Sequence, residues 1–146
     1  MPSPRATLDR LLAEPSRRQL GRICTDFDIE CLAAFGSAVD DDRAADAHDL
    51  DIAFTRRFKK RAHSVDLLAL LDRLVVLSGC AHIDLLDLDR ASPVARAEAL
   101  LDGYPLFEAE DGVFALLQMR AFSEREDTAW LRRLQLDLLA NQRAPG

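Results

Sequence analysis

The chain has 146 residues, of which 49% are hydrophobic and 30% charged, so one unit spanning 1–146 is expected, burying about 68% of the surface its unfolded form exposes. A formal net charge of −6 excludes broad nucleic-acid binding, which depends on neutralising phosphates. Asp72 and Arg73 interrupt the richest apolar stretch, which excludes a membrane-spanning helix, and Met1-Pro2-Ser3-Pro4-Arg5 begins no secretory signal.

Taken in chain order, residues 6–13 and 16–26 read as amphipathic helices separated at Pro15, with Leu20, Ile23 and Cys24 on one face of the second. Residues 29–35 suit a buried strand, which Gly36-Ser37 turns into a polar loop running from Asp40 to His48. Residues 49–54 form the next strand. The run Arg56-Arg57-Phe58-Lys59-Lys60-Arg61 behind it reads as a solvated basic loop, with attraction of a triphosphate at a site mouth as the rival reading. Leu67, Leu68, Leu71, Leu74 and Val75 have helical spacing, with Ser64 as N-cap and Gly79 as the stop. Residues 82–88 are strand-like, and His82 reads as a semi-buried histidine on the face of Asp84, whereas His48 reads as exposed. Ser92-Pro93 opens a helix to Leu101, Gly103-Tyr104-Pro105 breaks it, and Leu106-Phe107 adds an edge strand. From 112 to about 140 the chain is helical. Ser123 with Glu126 matches a capping box and predicts a break there. Trp130, Leu131, Leu134 and Leu138 make an apolar stripe, which most often packs on its own domain and otherwise docks a second chain. Strands alternating with helices predict an α/β fold with a small mixed sheet and a C-terminal helical extension. Cys24, Cys31 and Cys80 have no C-x-x-C spacing and read as buried thiols of a reducing, cytoplasmic compartment.

The chemistry lies in Phe35-Gly36-Ser37 and, eleven residues further on, Asp49-Leu50-Asp51. Alternate strand residues share a face, so Asp49 and Asp51 project together with Cα atoms about 6.6 Å apart. Aspartate is depleted in strands, and two carboxylates about 5 Å apart repel by roughly 3 kcal/mol at an effective dielectric near 20. A divalent cation relieves that repulsion. Asp84 completes a cluster of three if its strand lies beside theirs; Asp87 and Asp89 are competitors.

Gly36-Ser37, Asp49-x-Asp51 and Asp84, with the surrounding segments from about 16 to 110, resemble the minimal nucleotidyltransferases (MNT) of the DNA polymerase β-like superfamily. Within them the likeness is to the MNT antitoxin of HEPN–MNT toxin–antitoxin pairs. The resemblance implies a polymerase β-like nucleotidyltransferase fold, ATP as substrate and two Mg²⁺ ions. It also implies transfer of AMP to a tyrosine of a HEPN-type toxin. Carried onto this chain, Asp49 and Asp51 hold both metals, Asp84 holds the nucleophile-side metal, and Gly36 and Ser37 receive the phosphates. Relatives follow the Gly-Ser with a small residue and Arg-Gly. Here Ala38-Val39-Asp40-Asp41-Asp42 follows, the spacing to Asp49 is one residue longer, and His48 precedes the pair. Two rival readings stand beside this one: an antitoxin that neutralises its partner by binding alone, and a transferase for a small-molecule hydroxyl of aminoglycoside type. A homo-oligomer through the C-terminal helix is a further arrangement that its stripe allows.

Overall fold

The computed structural model describes residues 2–80 and 82–143. Its first helix, α1 (Pro4–Leu12), starts where a proline follows a serine: Ser3 Oγ accepts the Ala6 amide, and Pro4 has no amide to leave unsatisfied. Beyond Pro15, α2 (Ser16–Asp26) buries Leu20, Ile23 and Cys24, the face the periodicity assigns.

Four strands follow, β1 (Ile29–Phe35), β2 (Leu50–Arg56), β3 (Ile83–Asp87) and β4 (Tyr104–Glu108), in one sheet of order β3-β2-β1-β4. β1 lies antiparallel to both β2 and β4, while β2 and β3 are parallel. A parallel pair needs a crossover, and α3 (Leu67–Ser78) supplies it. Asp66 caps α3, its carboxylate accepting the Ala69 amide, so Ser64 is not the N-cap. An anionic cap gains from the helix dipole where a hydroxyl would not. Gly79 ends α3 at φ +71°, as its position in the sequence predicts. α4 (Pro93–Leu101) has Ser92 as its cap, with Oγ accepting the Ala95 amide.

Alternation along the strands divides the core in two. Leu32, Ala34, Leu50, Ile52, Phe54 and Ile83 pack beneath α1, α2 and α3. Cys31, Ala33, Ala53 and Leu88 pack on the other face with Ala99 and Leu100 of α4 and with Phe114 and Ala121 of α5 (Val113–Arg143).

α5 is one helix of 31 residues, about 46 Å long, and the break expected at Ser123 is absent. A capping box requires its serine to leave helical geometry. Here contacts on both sides hold Ser123 in the helix. Gln118 Nε2 donates to the Leu100 carbonyl, Ala121 is buried, and Arg96 makes two hydrogen bonds to Glu124, at 2.6 and 3.1 Å. The stripe beyond does not pack on its own domain: Trp130 is 58% exposed and Leu131 57%, with Leu134 and Leu138 exposed beside them.

The basic run is only in part the solvated loop anticipated: Arg57, Lys59 and Lys60 are exposed, but Arg56 and Arg61 are not. Arg56 is only 9% exposed, and its guanidinium donates to the carbonyls of Phe27, Lys60 and His63. Arg61 binds Glu30 at 3.0 Å and approaches Asp89 at 3.4 Å. Because β2 carries Asp51 near its start and Arg56 at its end, the run lies about 17 Å along the strand from the aspartates. It does not adjoin them.

Candidate active site

β1 ends at Phe35, and the chain then bends sharply at Gly36, where φ is +75°, into a single 3₁₀ turn over Gly36–Ala38. Only glycine adopts that φ without strain. A second constraint acts on the same residue. The antiparallel register sets Phe35 opposite Asp51, so the bend just past Phe35 meets that carboxylate. A Cβ on Gly36 would stand 2.5 Å from Asp51 Oδ2. Ser37, half-buried, is the second residue of the turn, and its carbonyl accepts the Asp40 amide.

Asp51 projects from β2 between the buried Leu50 and Ile52, which face the opposite side. In the parallel ladder its register partner is Asp84, so the two aspartates stand side by side on neighbouring strands. Asp49 lies one residue ahead of β2, at a bend that the Leu50 amide anchors by donating to the His82 carbonyl at 2.8 Å. Asp49 and Asp84 are exposed and Asp51 half-buried. Burial, and then the negative charges of Asp84, Asp49 and Glu98, hold the Asp51 carboxyl above the usual carboxylate range.

Glu98 was not anticipated. It sits on α4 between the buried Ala97 and Ala99, and no local signal announces that this turn of α4 faces the aspartates. Asp87 and Asp89 serve elsewhere. Asp87 accepts the Asp89 amide, and Asp89 accepts the Thr55 hydroxyl at 2.6 Å and the Arg56 amide at 3.1 Å, tying the far end of the sheet. His48 is exposed as expected. His82 is exposed too, not semi-buried, because it precedes the strand proper.

Among the described residues none of Asp49, Asp51, Asp84 and Glu98 enters a salt bridge. No cation among the described residues stands within salt-bridge distance to offset their mutual repulsion. All donors are carboxylate oxygens, the ligands of hard cations, so the donor set fits Mg²⁺. Among the described residues no three His, Cys, Asp or Glu side chains form a ready metal cage. Mg²⁺ tolerates that, since it keeps several waters and takes phosphate oxygens as ligands.

The loop after the bend carries its own charge pairs. Arg43 Nε binds Asp40 at 2.8 Å, which draws the Asp40 carboxyl below the usual range. Arg5, from the first turn of α1, donates to the Ala38 carbonyl at 3.3 Å and pairs with Asp41 at 3.1 Å. No local signal announces this contact, as the partners are more than thirty residues apart. A cleft of about 420 Å³ adjoins them, lined by Arg5, Val39, Asp41 and Gly103. A larger cleft of about 570 Å³, between α2 and β4, contains none of the clustered carboxylates. Among the described residues no helix is long and apolar enough to cross a membrane.

No protein-family model matches the chain, nor does any curated protein. Solved structures do. A chain of a toxin–antitoxin crystal structure with AMP-PNP superposes with a TM-score of 0.61 at 20% identity, covering 85% of this chain and 98% of that one. A chain of the MntA–HepT toxin–antitoxin matches at 0.58 and 19%, covering 85% and 96%. A structure of tri-AMPylated Shewanella oneidensis HEPN toxin in complex with MNT antitoxin gives 0.58 and 20%, covering 85% and 95%. The architecture, a small mixed sheet flanked by helices and continued by a long C-terminal helix, is the MNT nucleotidyltransferase fold.

Proposed function

We propose that this chain is the antitoxin of a HEPN–MNT pair and acts as a Mg²⁺-dependent transferase of AMP from ATP to a tyrosine hydroxyl of its toxin. The observation that carries the reading is the side-by-side register of Asp51 and Asp84 against the Gly36 bend. Similar folds occur in a complex with AMP-PNP and in a complex whose toxin is AMPylated, which supports both the nucleotide and the acceptor. Asp49 and Asp51 would hold two Mg²⁺ ions and Asp84 one of them. Bound there, Mg²⁺ supplies neutralisation of phosphate charge and a lowered hydroxyl pKa.

The chain's own groups do the rest. Gly36 admits the phosphates close to the backbone, and Ser37 offers its hydroxyl and adjoining amides to the β- and γ-phosphates. Asp84, the more exposed of the strand pair, accepts the proton of the acceptor hydroxyl. The hydroxyl oxygen bonds to the α-phosphorus, the bond from that phosphorus to the bridging oxygen breaks, and pyrophosphate leaves with the electron pair. The stripe of Trp130, Leu131, Leu134 and Leu138 docks the toxin, and the work takes place in the cytoplasm, where the three free, buried cysteines stay reduced.

The test is incubation with α-labelled ATP, Mg²⁺ and the product of the adjacent gene. Label should pass to the toxin with the wild type and not with Asp49→Asn/Asp51→Asn. Label transfer by that double variant would overturn the reading. A second reading, neutralisation by binding alone, is favoured by the exposed α5 stripe and predicts that the double variant still silences the toxin.

A further inference from the structure

The loop after the Gly36 bend holds three consecutive aspartates and, up to Asp49, one cation, Arg43, which is engaged with Asp40. A triphosphate delivered to Ser37 would meet mostly negative charge there. We propose that Arg5 of α1 supplies the positive charge for the β- and γ-phosphates, and that Asp41 holds it in reserve until nucleotide arrives. The inference rests on the nucleotide reading above and deepens it.

Three observations carry it. Arg5 already reaches the turn that contains Ser37, donating from Nη1 to the carbonyl of Ala38, the next residue. The other terminal nitrogen, Nη2, is committed to Asp41, whose side chain is 88% exposed, and Nε lies 3.9 Å from Asp9, which is also exposed. Exposed pairs of this kind contribute little to stability, so exchanging them for phosphate oxygens is cheap. Finally, Arg5 lines an open cleft together with Val39, the residue after the turn, and with Asp9, Asp41 and Asp102, so its guanidinium has space through which to swing. Guanidinium suits the task because its planar fork binds two phosphate oxygens at once. The cation thus comes from a separate helix rather than from the loop, and Asp41 competes with the nucleotide for it.

Calorimetric titration with AMP-PNP and with AMP, both at fixed Mg²⁺, tests this. Arg5→Gln should weaken AMP-PNP roughly tenfold and leave AMP unchanged within about twofold, because only the former reaches the outer phosphates. Asp41→Asn should tighten AMP-PNP several-fold by freeing Arg5, and this gain should vanish in the double variant. Asp41 is exposed, so the variant that should gain affinity does not depend on the packing of α1. Equal AMP-PNP affinity in wild type and Arg5→Gln, or parallel loss of both ligands, would overturn the role of Arg5 while leaving the nucleotide reading intact. Absence of saturable AMP-PNP binding in wild type and Asp41→Asn alike would overturn both.

Discussion

Replacing Asp51 by asparagine keeps a side chain of the same shape against Gly36 and removes its charge. Asp51 and Asp84 are register partners on neighbouring strands, so their carboxylates stand about 5 Å apart. At that distance two unit charges repel by roughly 3 kcal/mol at an effective dielectric of 20 and by under about 1 kcal/mol in water. Asp84 is exposed and Asp51 only half-buried, and discounting for solvent screening leaves about 1 kcal/mol. Without metal, Asp51→Asn should therefore melt about 3 °C above the wild type near neutral pH. The folded-state carboxyl is raised above its unfolded value, so the folded wild type takes up a proton more readily than the unfolded chain. Its penalty is complete above the folded pKa and gone below the unfolded value of about 3.9. Circular-dichroism melts with chelator present, from about pH 7.5 down to about pH 4, should show the gap between the two proteins closing on acidification. Mg²⁺ should raise the wild-type midpoint and do little for the asparagine variant. A variant that melts at or below the wild type at neutral pH, or a gap that widens on acidification, would refute the clustered-charge account.

Gly36→Ala meets both the +75° φ and the Asp51 carboxylate, and a loss of about 2 kcal/mol in urea unfolding is expected; a loss under about 0.5 kcal/mol would contradict the geometry. Leu131→Ser with Leu134→Ser, both exposed, should leave the melting midpoint nearly unchanged yet abolish co-purification with the HEPN toxin, and retained co-purification would remove the stripe as docking surface. Burial raises the Cys24 thiol, and burial followed by the charges of Glu108 and Glu30 pushes Cys31 up to about 12. Both thiols should stay inert to a chromogenic disulfide in the mildly alkaline range until denaturant is added, and prompt native labelling at either position would argue against the described packing.

Elements whose boundary signals are local were legible in the sequence. β1 occupies Ile29–Phe35 because a run of small and apolar residues ends at a glycine that no strand would continue through. α4 starts at Pro93 because a serine cap and a proline at the first helical position act together. The pairing of Asp51 with Asp84 was legible only as a conditional, since strand adjacency is a long-range choice. What escaped depends on partners distant in the chain. Arg56 and Arg61 look like solvated charge until Asp28, Glu30 and Asp89 are brought to them by the sheet. Arg5 and Glu98 belong to helices whose periodicity is clear but whose rotation about their axes is set by packing. The Ser123 capping signal was real in isolation and lost to the Arg96–Glu124 bond and the α4 contact. Between Ser64 and Asp66, two residues both able to cap, the choice fell where Leu70 and Leu74 point into the core.

The shared volume of Gly36 and Asp51 also constrains how such a chain can decay over generations. A descendant that exchanged the glycine first would drive a methyl group into an oxygen. One that lost the acid first would empty the space and leave only the torsional preference of the bend. Loss of the acid first meets no such contact, whereas loss of the glycine first obliges the carboxylate to move aside and still leaves a side chain at a left-handed torsion.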